Sequence, residues 1–163
     1  EVGVFRGHSA SIINQLFPDK KLYLFDTFCG FEEKDVSYEA EMETSDARKG
    51  QFENTSETIV RKKLSSPRDV IFCPGNFPDT APMAPEDEKF CFVHFDADLY
   101  KPAKSTCEYF FPRLVEGGLM VFHDYNNTYT GVKEAVDGYF SPKGYVPLPI
   151  PDQGGSAVII KRG

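Results

Sequence analysis

The sequence predicts an α/β sandwich on a seven-stranded, mostly parallel sheet that closes in an antiparallel C-terminal hairpin. Three observations predict it. Short β-branched or aromatic runs bounded by turn residues fall at 1–5, 21–25, 69–73, 90–95, 118–122, 144–149 and 156–161. Segments with helical features lie between the first five, and strands that alternate with helices build parallel sheets. Nothing helical separates the last two runs, so they pair as a hairpin near one edge.

In order, residues 1–5 (EVGVF) read as a strand already under way, with no initiator Met, which predicts a chain truncated ahead of Glu1. Residues 9–17 place Ile12, Ile13, Leu16 and Phe17 on one helical face. Residues 30–53 break the rhythm. They are acid-rich and weakly periodic, and a stretch this long predicts a lid or a disordered insertion. Asn54, with Glu57 three residues on, reads as the cap of a helix over 55–64. Pro102 suits the first turn of a helix over 102–115 that Pro112 kinks or closes early, before the Gly117-Gly118 stop. Residues 131–140 carry Val132, Ala135, Val136 and Phe140 on one stripe. The whole of 1–163 reads as a single domain.

Composition excludes several classes. The chain is 40% hydrophobic and 26% charged, ordinary globular values. No apolar stretch approaches the roughly 20 residues of a membrane span, so the expectation is a cytoplasmic protein with no membrane partner. A net charge of -7 argues against a nucleic-acid backbone as partner and leaves room for a cationic ligand or a divalent metal. Cys29, Cys73, Cys91 and Cys107 form no CxxC pair and read as buried reduced thiols rather than a disulfide framework. Sequons at Asn54 and Asn126 read as incidental without a signal peptide.

In an open α/β sheet, ligands bind beyond the carboxyl ends of the strands. After the first strand, Gly3 and Gly7 bracket a turn and Ser9 opens a helix, so backbone amides and a helix dipole are available to a carboxylate or phosphate. A plain βα turn has the same pattern. Asp26 lies 19 residues beyond Gly7, where an acid accepts bonds from ribose hydroxyls, or it caps the next turn. After the third strand, Gly75, Asn76 and Phe77 form either a simple turn or the flank of an adenine. The fourth strand ends in Asp96 and Asp98, and the fifth in His123 and Asp124. Asp96, His123 and Asp124 together could hold Mg²⁺, or a more imidazole-tolerant ion such as Mn²⁺. Such an ion lowers the pKa of a bound hydroxyl while a carboxylate or His123 takes the proton. As solvated turn residues they would bind nothing. His8 and His94 read as non-functional.

The strings EVGVFRGHSA, LFDTFCGF, GNFPDTAP, FDADLY, LVEGG, VFHDY and GVKEAVDGYF, in this order, resemble the TylF-type (macrocin O-methyltransferase-like) family of class I S-adenosyl-L-methionine-dependent methyltransferases. The most specific parts are DTFCGF at 26–31 and DADLY at 96–100. The resemblance implies a Rossmann-like fold and O-methylation of a hydroxyl on a sugar or natural-product-like small molecule. It implies that Glu1, Gly3, Gly7 and Ser9 hold the methionine part of the donor. Asp26 would hold its ribose with Thr27 and Phe28 nearby, and Asn76 and Phe77 would lie by the adenine. It also implies a magnesium-assisted reaction with Asp96 and the pair 123–124 as ligands. Here position 123 departs from the family's aspartate, which admits a softer ion or His123 as a base without metal. Family members carry an N-terminal helical segment that covers the site and contributes to a homodimer, and the mid-strand start predicts that this segment is missing ahead of Glu1. Asp96 is expected on the ion and Asp98 as a brace for the following turn, with Tyr100 packed beneath. Acceptor choice would lie in 30–53, in 125–130 and in that missing segment.

Two other readings stand beside this one. An apolar strand ending in D-x-D also presents a metal to the diphosphate of a nucleotide sugar, as in glycosyltransferases. A non-catalytic, donor-binding Rossmann-like domain is the other. A nicotinamide dehydrogenase is disfavoured because the third glycine of its fingerprint is missing.

Overall fold

The computed structural model describes residues 1–66, 69–127 and 130–163. Among them six strands form: β1 Leu22–Asp26, β2 Val70–Pro74, β3 Phe90–Phe95, β4 Leu114–Phe122, β5 Leu148–Pro149 and β6 Ala157–Ile160. They fall into a two-stranded group, β1-β2, and a four-stranded group ordered β3-β4-β6-β5. The pairs β1–β2 and β3–β4 are parallel, and β6 runs antiparallel to both β4 and β5. Prolines at 147, 149 and 151 cannot donate to a ladder, which keeps β5 short and at the edge.

The first expected strand shrinks to one residue, so the sheet has six strands and a bridge rather than seven strands. Val2 makes isolated parallel bridges to Phe25 on one side and Phe95 on the other. Gly3 (φ 82°) and Phe5 (φ 47°) then leave the extended region, so no ladder can propagate. Four backbone hydrogen bonds of 2.8–2.9 Å make this seam: Val2 to His94, Asp96 to Val2, Gly3 to Phe25 and Phe25 to Glu1.

Among the described residues five α-helices flank the strands: α1 His8–Leu16, α2 Glu33–Met42, α3 Glu57–Arg61, α4 Tyr100–Phe110 and α5 Thr130–Phe140. Ser56, not Asn54, caps α3, its hydroxyl accepting from the Ile59 amide at 3.3 Å. α4 ends at Phe110 rather than 115, because Pro112 lies in a single 3₁₀ turn that feeds straight into β4.

The alternation in β1 explains its two covered faces. Leu22 and Leu24 pack with Val4, Ala10 and Val60 under α1 and α3, while Tyr23 and Phe25 face the main core. In that core Phe95, Met120 and Phe122 meet Phe110 of α4 and Val136 and Phe140 of α5. Each buried phenylalanine there stabilises the fold by about 2–3 kcal/mol relative to exposure. On the opposite face of β3, β4 and β6, Phe92, Leu119, Val121 and Val158 are only half-buried and Ile160 is exposed.

The acid-rich 30–53 segment forms α2. Glu33 and Asp35 in its first turn suit the helix dipole. Asp35, Val36 and Glu39 are its buried face. Asp35 Oδ2 accepts from the Asn76 side-chain amide at 2.6 Å. Glu39, 1% exposed, accepts the Tyr100 amide at 2.7 Å and the Thr44 hydroxyl at 2.5 Å. Tyr100 N–H is an orphan donor at the start of α4, whose N-cap Leu99 offers no side-chain acceptor, so Glu39 caps α4 from another element. Tyr38 stacks on Tyr100 at 5.7 Å.

Candidate active site

A cavity of about 400 Å³ opens across the carboxyl ends of the strands. Its lining takes Gly75 to Phe77 after β2, Asp26 at the end of β1, Gly3 after the Val2 bridge, Asp96 to Leu99 after β3, and His123 and Asp124 after β4. Four strand spacings separate the β2 and β4 ends, roughly 19 Å across the sheet.

Gly3 tolerates no side chain. A Cβ there would lie 2.2 Å from the Asp96 carbonyl oxygen. Asp26 braces the turn that Gly3 begins: Oδ2 accepts from the Val4 and Phe5 amides at 2.6 and 2.8 Å, and Oδ1 from the Phe28 amide at 2.6 Å. A carboxylate has about four acceptor sites, so one remains for a ligand hydroxyl. Thr27 lines the cavity and donates to Gly30 O at 2.8 Å.

Four of the expected donor-binding residues lie outside the lining. Phe28 packs on Phe72 at 5.8 Å. Gly7 makes room for Val60, which a Cβ would meet at 2.8 Å. The buried Glu1 side chain pairs with His94 Nδ1 at 2.9 Å, and Ser9 sits in the first turn of α1. Asn76 lines the cavity with its amide held by Asp35. Phe77 also lines it, but its ring is 5% exposed, stacked on Phe110 at 5.5 Å and edge-on to Phe25.

At the other end Asp96, His123 and Asp124 converge. His123 Nδ1 lies 3.0 Å from Asp96 Oδ1 and 2.9 Å from Asp124 Oδ2. The rest of the imidazole edge abuts Gly154, where a Cβ would come within 2.0 Å of Nε2. Hydrogen bonds that His123 donates to Asp124 and Asp96 raise its pKa to about 10, so the ring is an imidazolium at neutral pH. Burial opposes ionisation of Asp124, yet bonds with His123, Asp98 and Asn127 hold it down at about 2. Asp98 also turns into this cluster. It bonds to Asp124, and burial first, then Asp124, pushes its carboxyl up to about 9. One potential ligand atom from each of Asp96, His123 and Asp124 lies within 4.8 Å of the others. Two carboxylate oxygens and an imidazole nitrogen fit a divalent ion that accepts nitrogen, with positions left open. Binding one would displace the Nδ1 proton.

Sequence reasoning missed Asp98 as a member of the cluster, because its left-handed backbone (φ 60°) beyond the end of β3 turns it there and strand alternation does not foretell that. It also missed Asp35 and Glu39, although an i, i+4 acidic pair around Val36 marks one helical face. Cys29 and Cys91 are exposed rather than buried, and all four cysteines are free thiols. Of the 125–130 loop expected to choose the acceptor, residues 128 and 129 lie outside the described residues.

Comparison with known proteins bears on this arrangement. Demethyldecarbamoylnovobiocin O-methyltransferase of Streptomyces niveus is 28% identical over 149 residues, 85% of this chain and 56% of its own length. Mycinamicin III 3''-O-methyltransferase of Micromonospora griseorubida is 28% identical over 151 residues, 85% of this chain and 58% of its own length. The chain thus spans little more than half of these curated relatives. The solved O-methyltransferase NovP superposes with a TM-score of 0.77 at 22% identity, covering 99% of this chain and 70% of its own. The calicheamicin methyltransferase CalS11 gives 0.73 at 19%, covering 98% and 70%. Both show the same fold, the Rossmann-like sandwich of class I methyltransferases. The family model described as Macrocin-O-methyltransferase (TylF) matches residues 1–159, and the chain belongs to that family.

Proposed function

We propose that the protein is an S-adenosylmethionine-dependent O-methyltransferase acting on a hydroxyl of a sugar or natural-product-like small molecule. The observation that carries this is one continuous cavity linking the glycine turn and Asp26 to the Asp96–His123–Asp124 cluster. The two relatives named above, whose names give O-methylation, support the reaction class. The donor would supply an activated methyl on a sulfonium. Gly3 lets the backbone approach it, and Asp26 keeps one acceptor site for a ribose hydroxyl. Asp96, His123 and Asp124 would hold Mg²⁺ or Mn²⁺, which when bound lowers the pKa of an acceptor hydroxyl. The carboxylate of Asp96, in the cavity lining, is placed to take the released proton. Residues 30–53 serve as the cover that excludes water, supported by Phe31, Asp35 and Phe52 in the lining. Free thiols support a reducing, cytoplasmic setting, and the half-buried apolar face of β3, β4 and β6 supports pairing of two copies.

Calorimetry with S-adenosylhomocysteine and with UDP-sugars tests the reading, followed by mass spectrometry of hydroxyl acceptors for a gain of one methyl. Heat with the former and a methylated product are expected. Binding of UDP-sugars alone would replace this reading with a glycosyltransferase.

A further inference from the structure

We infer that Tyr125 is a positioning residue for the Asp96–His123–Asp124 cluster: Lys133 and Asp137 of α5 clamp its side chain, and through the backbone it keeps Asp124 in the left-handed turn that brings its carboxylate into the cluster. The inference rests on the ion reading above.

Asp124 adopts a backbone that its residue type does not favour. Its φ is 59°, in the left-handed region, which aspartate enters more readily than most residues but still at a cost. Such a turn persists only where the surroundings impose it. The site depends on it. β4 ends at Phe122, which faces the main core, and an extended chain would send Asp124, two residues on, to that same face. With the turn, Tyr125 takes the core position and Asp124 Oδ2 comes within 2.9 Å of His123 Nδ1.

The hold comes from two directions. Tyr125 is 6% exposed, and its hydroxyl donates to Asp137 Oδ1 at 2.5 Å and accepts from Lys133 Nζ at 2.8 Å. The same ammonium lies 4.1 Å from the ring centroid and 3.1 Å from Asp137 Oδ2. Lys133 and Asp137 stand one turn apart on α5, so they close on the tyrosine as a pair. On either side of Tyr125 the backbone is tied to the loop between β5 and β6. Asp124 N–H donates to Gly154 O at 3.0 Å, and Asn126 N–H donates to Gly155 O at 2.8 Å.

A buried tyrosine needs one partner for its hydroxyl, and here a carboxylate and an ammonium converge on it. Tyr125 is not among the residues that line the cavity, so it acts on a bound ion only through Asp124. Removing the hydroxyl leaves the ring in the core and releases the turn from α5.

The test is Tyr125→Phe in the full chain, titrated with Mn²⁺ alone by EPR and with S-adenosylhomocysteine by calorimetry. Mn²⁺ affinity is expected to fall about tenfold, the low end of what a group one step behind metal ligands contributes. S-adenosylhomocysteine, at the Gly3 and Asp26 end of the cavity, is expected to bind as it does to wild type. Lys133→Met, at a half-exposed position, is expected to weaken Mn²⁺ in the same sense and Lys133→Arg to restore it. Amide hydrogen exchange in Tyr125→Phe is expected to quicken at Asp124 and Asn126 and to stay unchanged at Val2 and Gly3. Unchanged Mn²⁺ affinity in Tyr125→Phe or Lys133→Met would overturn the inference. An equal loss for Mn²⁺ and S-adenosylhomocysteine would also overturn it, by reducing the tyrosine to a general support of the fold. A wild type that binds no Mn²⁺ would overturn the ion reading instead. The exchange rates at Asp124 and Asn126 then decide the clamp alone: quickened, it stands; unchanged, it falls.

Discussion

Replacing Asp26 with asparagine separates the bracing of the glycine turn from the binding of a ligand. The carboxylate accepts three amides at 2.6, 2.8 and 2.6 Å. Asparagine keeps the shape but has one oxygen. If that oxygen stays on Val4 and Phe5, the NH₂ faces the Phe28 N–H, donor against donor. One charged bond is lost, and the other two become neutral and about half as strong. A single such bond contributes about 1.5–3 kcal/mol. Phe5 is exposed, so solvent recovers part of the loss. The expected destabilisation is about 3 kcal/mol, or a fall of about 6–12 °C in Tm for a chain of this size. Thermal melting and S-adenosylhomocysteine calorimetry on the same sample are the assay, with both signals expected to fall. An unchanged Tm with binding lost would refute the brace and leave Asp26 a ligand group only.

Three further outcomes are expected. Glu39→Gln can still accept from Tyr100 and donate to Thr44, so urea unfolding should shift by less than about 1 kcal/mol, whereas Glu39→Leu strands both groups and should cost about 3 kcal/mol; equal costs would remove Glu39 as the cap of α4. Gly154→Ala forces a Cβ into the His123 ring, and should destabilise by about 1–3 kcal/mol while returning the imidazole from about 10 toward its ordinary titration range by NMR. Glu88 accepts from Tyr23 at 2.6 Å and Lys21 at 2.9 Å, contacts that hold its carboxyl below the usual value. Because the folded pKa is depressed, the stability that Glu88 adds is complete above its unfolded pKa and is lost as pH falls through the folded one. The Tm gap between wild type and Glu88→Gln should therefore narrow on acidification; a gap constant with pH would refute it.

Strand positions and their alternation were legible because β1, β2, β3 and β6 carry their signal in consecutive residues. The end of strand logic likewise brought Asp26, Asp96, His123 and Asp124 to one cavity. What local pattern could not supply was the conformation of single residues. Gly3 and Phe5 end the first strand after Val2, and no propensity scale distinguishes a bridge from a ladder. Ser56 outcompetes Asn54 as cap by geometry two residues apart. The acid-rich composition of 30–53 suggested solvation, because burial of Asp35 and Glu39 depends on partners 41 and 61 residues away. Phe28 and Gly7 match the motif yet serve packing, a distinction that sequence spacing does not encode.

The seam at Val2 has a thermodynamic corollary. Two groups of strands meet through one residue, and the cavity straddles that junction, with Asp26 on one bank and Asp96 on the other. A ligand lying across it is a non-covalent cross-link between the halves. At 100 times its Kd it would add about 2.7 kcal/mol to global stability. The protection should concentrate where the halves are joined most thinly, so the amides of Val2, Gly3, Phe25 and Asp96 are those whose hydrogen exchange ought to slow most.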